Sequence, residues 1–507
     1  MVGIRHEHGA SFAALAAMTA RSPIAAKVLT ISCFCSRAVS FKTTFSGLLA
    51  RTFSLDGGGA THAARARRFI VQLAAWMLIT RIALAAWAIV YPDSRFFSSI
   101  DTLSIAPMID LYIDGSLATI PANDSYFYWL IAEQGAGWNS TYGWSLVNFS
   151  QVYPVLIAAA KTVFSTWSPF VLNTAFSMAT PAFLVSFLGN VFKDEATTRR
   201  AAIVVLFNPI FLAYSLFGLT EPLHYLLLFA VLSARYKTGL PWRAIEYAGL
   251  VVMVLNRFIA VVLAVFYLFK AIFTRGAAIK QRVALLVPVF AMGATYIGWE
   301  WACRQLFGIT PSEARSIYWH HGFNLDPRSP GFMINQAPLL LAGVLLGVLV
   351  LVTAFSKNKE LIDLEATSFS RVDLQGMMAM GAVTFLFLGI QNEPISILRY
   401  TGTAFPLFIV LVTRVPSSKL LPLASFGVAT GMVASHVITT FVIFSTSPPI
   451  PSFTWLDLIL CTAFSSAYIA ASIVFFMKRH DITSDMKFML AHLLLATLIV
   501  PLALYFP

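Results

Sequence analysis

Long apolar segments with few charges recur from residue 69 to the end of the chain. Of the 507 residues, 58% are hydrophobic and only 11% are charged, whereas soluble domains carry about a quarter charged residues. A run of about 20 apolar residues is long enough to cross a bilayer as a helix, and a helix satisfies its own backbone hydrogen bonds there. The sequence therefore predicts an all-α polytopic membrane protein.

The positions of charged residues predict how these segments are threaded through the membrane. Lys and Arg lie in the short links that we expect on the cytoplasmic side, whereas the acid-rich residues 92–150 are expected outside. Residues 151–166 are short and contain Lys161, so we expect them at the membrane interface or in a re-entrant segment. About thirteen crossings result, at residues 69–91, 168–192, 200–216, 221–236, 244–255, 258–272, 283–306, 337–355, 373–391, 401–413, 419–445, 453–477 and 487–506. Two of them, 244–255 and 258–272, are predicted to form a hairpin that turns at Asn256-Arg257.

The N-terminal residues differ in composition from the rest. Residues 1–64 are rich in Ala, Ser and Arg and read as a basic, disordered extension rather than a membrane span. Residues 65–507 are predicted to form one domain, and Arg65, Arg67 and Arg68 place its start in the cytoplasm. The net charge of +12 is explained by such links, so no nucleic-acid partner is expected. The four cysteines show no metal-ligand spacing, and no metal or cofactor is predicted.

The stretch Pro121–Pro154 is the candidate active-site loop. Asp124 opens a short amphipathic helix, which Gly135 and Gly137 are expected to end. Local sequence alone favours a simple role for Asp124 as a helix cap, because Asp suits the N-terminal end of a helix.

Other polar residues are predicted at membrane depth or at the outer edge of the membrane. A carboxylate there can activate an acceptor hydroxyl, and guanidinium groups can hold a leaving phosphate. The i,i+4 spacing of Glu300 and Arg304 predicts instead that these two pair with each other. Glu221, followed by Pro222, fits the start of a helix equally well. The set comprises Asp124, Glu221, Arg257, Glu300, Arg304, Glu393 and Arg399.

Several motifs occur in the order found in a known family. Asp124–Gly135 (DSYFYWLIAEQG) resembles the outer-loop motif of the mannosyltransferases related to PIG-V, which read Trp-Asp, an aromatic residue, Ile-Ala and Gly. Asn123, Ser150-Gln151 and Pro222 depart from the family pattern, and they point away from a GPI-anchor enzyme and toward a prokaryotic relative. Further similar motifs are Phe149–Pro154, Asn208-Pro209, Thr220-Glu221, Asn256-Arg257, and Leu398-Arg399-Tyr400 with Phe405-Pro406.

The resemblance implies a GT-C-type helical bundle, with interfacial helices in its first outer loop. It implies an inverting, metal-free transfer of a sugar, most often mannose, from a polyprenyl- or dolichyl-phosphate donor to a hydroxyl on the outer or luminal face. Asp124 would be the catalytic residue, and this role ranks above the helix cap once the resemblance is added, although both can hold. The implied substrate-binding residues are Glu221, Arg257, Arg399, Tyr400 and Tyr153.

The partners expected from this interpretation are membrane lipid, the lipid-linked donor and a glycan, glycolipid or protein acceptor, with room for a small membrane partner subunit. A prokaryotic plasma membrane is the expected location, or the endoplasmic reticulum membrane in a eukaryote. The alternative is a non-enzymatic carrier or flippase for a lipid-linked sugar, which would need the arginines but not the base.

Overall fold

The computed structural model describes the central part of the chain. Outside the described residues lie residues 1–59 of the predicted extension 1–64, the spans beyond residue 390 and the candidates Glu393, Arg399 and Tyr400. Residues 60–64, which were assigned to the extension, instead form the start of a helix that begins at Ala60. The described residues are 60–90, 124–139, 144–165, 168–206, 220–274, 276–319 and 369–390, with single positions between 340 and 352.

The described part is helical apart from one small hairpin. Its strands, two residues each, pair antiparallel with Trp138 opposite Ser145. Short 3₁₀ helices occupy Leu146–Asn148 and Phe258–Val262. In chain order the elements are α1 (Ala60–Val90), α2 (Asp124–Gln134), β1 (Trp138–Asn139), β2 (Trp144–Ser145), α3 (Val152–Phe164), α4 (Ser168–Val191), α5 (Glu195–Leu206), α6 (Glu221–Arg235), α7 (Leu240–Asn256), α8 (Leu263–Phe273), α9 (Ile279–Phe307), α10 (Pro311–Trp319) and α11 (Arg371–Ile390).

Two described helices, α4 and α9, are long and apolar enough to cross a membrane. In α9 large apolar side chains face outward, including Phe290 at 70% and Trp301 at 65% exposure. Such a surface is costly in water and suits contact with lipid. The remaining crossings stay a prediction.

Buried Arg81 faces protein, as a charged residue inside an apolar helix must. Its side chain is 0% exposed. Its Nε donates a hydrogen bond to the Thr174 hydroxyl at 3.1 Å, and its guanidinium lies 5.2 Å from the centre of the Phe170 ring. These contacts join α1 to the first turns of α4.

Helix α6 packs between α4 and α7 in the core. The Ser233 hydroxyl of α6 donates to the Ser186 hydroxyl of α4 at 2.7 Å. On the other side, Gly249 lets α7 approach α6 so closely that a Cβ atom at this position would lie 2.6 Å from Cγ2 of Val231. Val231 is fully buried, and its β-branched side chain has little freedom to move away.

We therefore expect Gly249→Ala to destabilise the protein by about 1–3 kcal/mol, the usual cost of overpacking a core. Thermal unfolding in detergent measures the effect. Gly293→Ala in α9 is the matched control, because a Cβ there meets nothing within 4 Å, and it should be neutral or stabilising by up to about 1 kcal/mol. Equal melting temperatures for the two variants would contradict the close approach of α6 and α7.

The predicted hairpin at Asn256-Arg257 is confirmed. Helix α7 ends at Asn256, Arg257 is extended with φ of −153°, and the chain returns through a 3₁₀ turn into α8. The Tyr267 hydroxyl donates to Glu246 at 2.8 Å, so residues about ten positions on either side of the turn meet. Helix α7 is longer than the predicted segment 244–255, because it begins at Leu240. Helix α8 begins at Leu263, five residues after the predicted start, because Phe258–Val262 form a 3₁₀ helix.

Ion pairs tie the same helices together at the end away from this turn. The fully buried carboxylate of Glu246 lies 2.5 Å from Arg243 and 3.4 Å from Arg235. Asp373 at the start of α11 forms an ion pair with Lys270 of α8. Buried charges need such partners to offset their lost hydration, so this network aligns α6, α7, α8 and α11.

The predicted pairing of Glu300 with Arg304 is wrong. Helix α10 folds back on the end of α9 and supplies both partners. Arg304 forms an ion pair with Glu313 at 2.7 Å, and Glu300 accepts a hydrogen bond from the Ser312 hydroxyl at 2.6 Å. Tertiary partners therefore replace the pair that i,i+4 spacing allows.

Candidate active site

Two of the predicted site residues, Glu221 and Arg257, form a buried ion pair. Glu221 is the first residue of α6 and Arg257 follows the last residue of α7, so antiparallel packing brings the two ends together. Nη1 of Arg257 lies 2.8 Å from Oε1 of Glu221, with side-chain exposures of 7% and 2%. The two turns that carry Glu221 and Arg257, both predicted on the outer side, are thus in contact.

Hydrogen bonds from Asn256 connect this pair to the candidate loop. Its Nδ2 donates to the Thr220 carbonyl at 3.3 Å, and its Oδ1 accepts from the Ser150 hydroxyl at 3.2 Å. Three of the motifs found along the sequence therefore converge in space. We call Ser150, Thr220, Glu221, Asn256 and Arg257 the Glu221 cluster.

Helix α2 begins at Asp124, as predicted, and ends at Gln134. Gly135 terminates it with φ of +85°, a conformation that favours glycine, and its N–H donates to the Ile131 carbonyl at 2.8 Å. The side chain of Asp124 lies outside the described part of the structure. Its catalytic role and its role as a cap both stay predictions.

Aromatic contacts hold α2 against the segment that leads to the Glu221 cluster. The Phe127 ring stacks on Phe149 with centroids 4.8 Å apart, and Tyr128 meets Phe149 edge-on at 5.8 Å. Phe149 directly precedes Ser150. One turn after Asp124, the helix is thus packed against the residue next to the cluster.

Tyr153 supports the same packing. Its ring meets Tyr128 edge-on at 5.7 Å, its side chain is 0% exposed, and its hydroxyl donates to the Pro169 carbonyl at 3.4 Å. These contacts give Tyr153 a positioning role between α2 and α4. Direct contact with substrate stays a prediction.

Two further residues near the cluster carry no sequence signal for a site. His224 is 1% exposed and stands one helical turn after Glu221. Arg315 of α10 places its guanidinium 3.9 Å from the centre of the Phe258 ring, and Phe258 directly follows Arg257. Neither spacing nor composition distinguishes these residues from others in apolar helices and charged loops.

The helix that carries Arg315 does have a sequence signal. Thr310 and Glu313 form a capping box, in which the Glu313 N–H donates to the Thr310 hydroxyl at 3.1 Å and the Thr310 N–H donates to the Glu313 carboxylate at 3.0 Å. A Thr followed three residues later by Glu is a recognised helix start. It predicts α10 but not the contact of Arg315 with Phe258.

Among the described residues, no group of three or more His, Cys, Asp or Glu side chains could hold a metal ion. Glu221 is engaged by Arg257, and the metal-free site remains a prediction.

No family model matches the chain, and no curated protein sequence matches it significantly. Among solved structures, the chain is similar to the crystal structure of ArnT from Cupriavidus metallidurans bound to undecaprenyl phosphate. The identity is 12%, the match covers 84% of this chain and 77% of that chain, and the TM-score is 0.44. A likeness at this level assigns neither a fold nor an activity to the chain.

Proposed function

We propose that the protein is a membrane glycosyltransferase that moves a sugar, in the first instance mannose, from a polyprenyl-phosphate donor to an acceptor hydroxyl. The observation that carries the proposal is the buried Glu221–Arg257 pair, joined through Asn256 and Ser150 to the segment on which the Asp124 helix packs. The motif resemblance to PIG-V-related enzymes supports the same reaction.

Asp124 is assigned the role of general base. A carboxylate at the start of a helix is held in its ionised form by the amide groups of the first turn. In that form it can take the proton from the acceptor hydroxyl as the hydroxyl oxygen attacks the sugar. The sugar–phosphate bond breaks, and the polyprenyl phosphate leaves with the bonding electrons.

Glu221 is better suited to positioning than to proton transfer. Its carboxylate lies 2.8 Å from Nη1 of Arg257 and neutralises the charge of the arginine. Arg257 therefore brings little net positive charge to a phosphate by itself. We assign Glu221 the task of holding the Arg257 guanidinium in one orientation, which matters because the planar fork binds phosphate by geometry as well as charge.

Arg315 is the further cation placed to offset the charge of the leaving phosphate. Within the described part of the chain no carboxylate forms an ion pair with it, and its guanidinium is held against Phe258, the residue that follows Arg257 in the chain. Arg399 and Tyr400, which the motif resemblance adds, would complete the phosphate site from the outer loop. In this assignment several arginines together bind the phosphate.

The experiment that tests the proposal is mass spectrometry of glycans and glycolipids from cells that lack the protein. We expect the loss of one hexose from a defined product together with accumulation of the acceptor, and restoration by the wild-type gene. An unchanged set of glycans and glycolipids, compared with the parent strain, would contradict the proposal.

A further inference from the structure

Two buried polar side chains at the N-terminal end of α6 have no hydrogen-bond partner among the described residues. They are the hydroxyl of Thr220, whose residue is 0% exposed, and both ring nitrogens of His224, which is 1% exposed. Thr220 and His224 flank Glu221 on the same helical turn. The imidazole is within electrostatic reach of both Glu221 and Arg257.

Unpartnered polar atoms are rare inside proteins, because burial removes their hydrogen bonds to water. Here several such atoms lie on one turn, beside a charged pair that the proposed function places at the donor phosphate. The neighbouring ring of Tyr225 meets the imidazole edge-on, with ring centroids 6.2 Å apart, and forms no hydrogen bond with it. The arrangement has the properties of a site whose polar partner arrives with a ligand.

The chemistry of the two side chains indicates the kind of ligand. A neutral imidazole presents one N–H donor and one acceptor nitrogen, and a threonine hydroxyl donates and accepts. Neighbouring hydroxyl groups on a sugar ring also donate and accept, so they can satisfy both side chains. A phosphate offers acceptors only and would leave the acceptor nitrogen of His224 unpaired.

The geometry points to a sugar subsite formed by Thr220 and His224, adjoining the Glu221–Arg257 pair. This inference rests on the proposed function, because it takes the bound lipid to be a sugar phosphate. It assigns the recognition of the donor's sugar hydroxyls to the N-terminal end of α6. The arginines then recognise the phosphate.

The test compares two ligands that differ only in the sugar. Purified full-length protein in nanodiscs is titrated with mannosyl polyprenyl phosphate and with sugar-free polyprenyl phosphate, and both dissociation constants are measured. Wild type should bind the sugar-bearing lipid more tightly. His224→Phe should weaken that binding by roughly 10-fold, the expected effect of losing a buried hydrogen bond, and should change binding of the sugar-free lipid less than about 2-fold.

Thr220→Val, which preserves the shape of the side chain, should also weaken binding of the sugar-bearing lipid. It replaces His224→Phe in the test if that variant folds poorly. Gln375→Met is the matched control, since Gln375 is also buried and its Nε2 atom has no partner in the described part of the chain, but it lies in α11. An unchanged preference for the sugar-bearing lipid in both Thr220→Val and His224→Phe would overturn the subsite, as would a wild type without that preference. A wild type that shows the preference but no transfer would retain the subsite and reject the transferase function.

Discussion

Glu221→Gln is expected to lower the free energy of unfolding by about 3–5 kcal/mol, the usual cost of removing one partner from a buried ion pair. The carboxylate lies 2.8 Å from the Arg257 guanidinium, and both side chains are almost fully buried. Glutamine keeps the shape of the side chain but leaves the arginine charge without its carboxylate in a region of low dielectric constant. Unfolding in mixed detergent micelles measures the loss.

The exposed pair Arg304–Glu313 provides the matched control. Its N–O distance of 2.7 Å is similar, but its side chains are 52% and 41% exposed, so Glu313→Gln should cost less than about 1 kcal/mol. The double variant Glu221→Gln/Arg257→Met should be less destabilised than the sum of its single variants, because it removes both charges together. If Glu221→Gln is as mild as Glu313→Gln, the buried pair does not stabilise the junction of α6 and α7.

Asp124→Asn is expected to reduce sugar transfer by about 10²- to 10⁴-fold, the usual contribution of a positioned general base. Asparagine is nearly isosteric with aspartate and is also a good helix N-cap, so the fold and the binding of the donor should persist. Loss of turnover without loss of stability is therefore specific to proton transfer. Initial rates of transfer by the purified variant measure the effect.

The sequence predicts those features of the fold that depend on neighbouring residues. Gly135 ends α2 as expected, because a left-handed residue at a helix end favours glycine. The turn at Asn256-Arg257 follows from two apolar segments on either side of a polar pair. Pairing between distant residues was less predictable, and Arg304 binds Glu313 of α10 because a folded-back helix offers a carboxylate that local spacing cannot anticipate.

In the candidate site, too, some features are predicted from the sequence and others depend on contacts between distant residues. Charge patterning predicts that Glu221 and Arg257 lie on the same side of the membrane, but their contact depends on the packing of α6 against α7. His224 carries no sequence signal, since one histidine in an apolar helix is unremarkable until its ring nitrogens are seen to be buried beside an ion pair. The position of the Asp124 side chain rests on the sequence alone.

The measurement that tests the central claim most directly is sugar transfer from mannosyl polyprenyl phosphate by purified wild-type and Asp124→Asn proteins with equal melting temperatures. We predict transfer by wild type, a fall of at least about 100-fold in the variant, and equal affinity of the two proteins for the donor. Asp124→Ala should show the same loss of transfer with about 1 kcal/mol less stability, because alanine cannot cap the helix. Activity of Asp124→Asn within a few-fold of wild type, or lipid transport without sugar transfer in both proteins, would contradict the account.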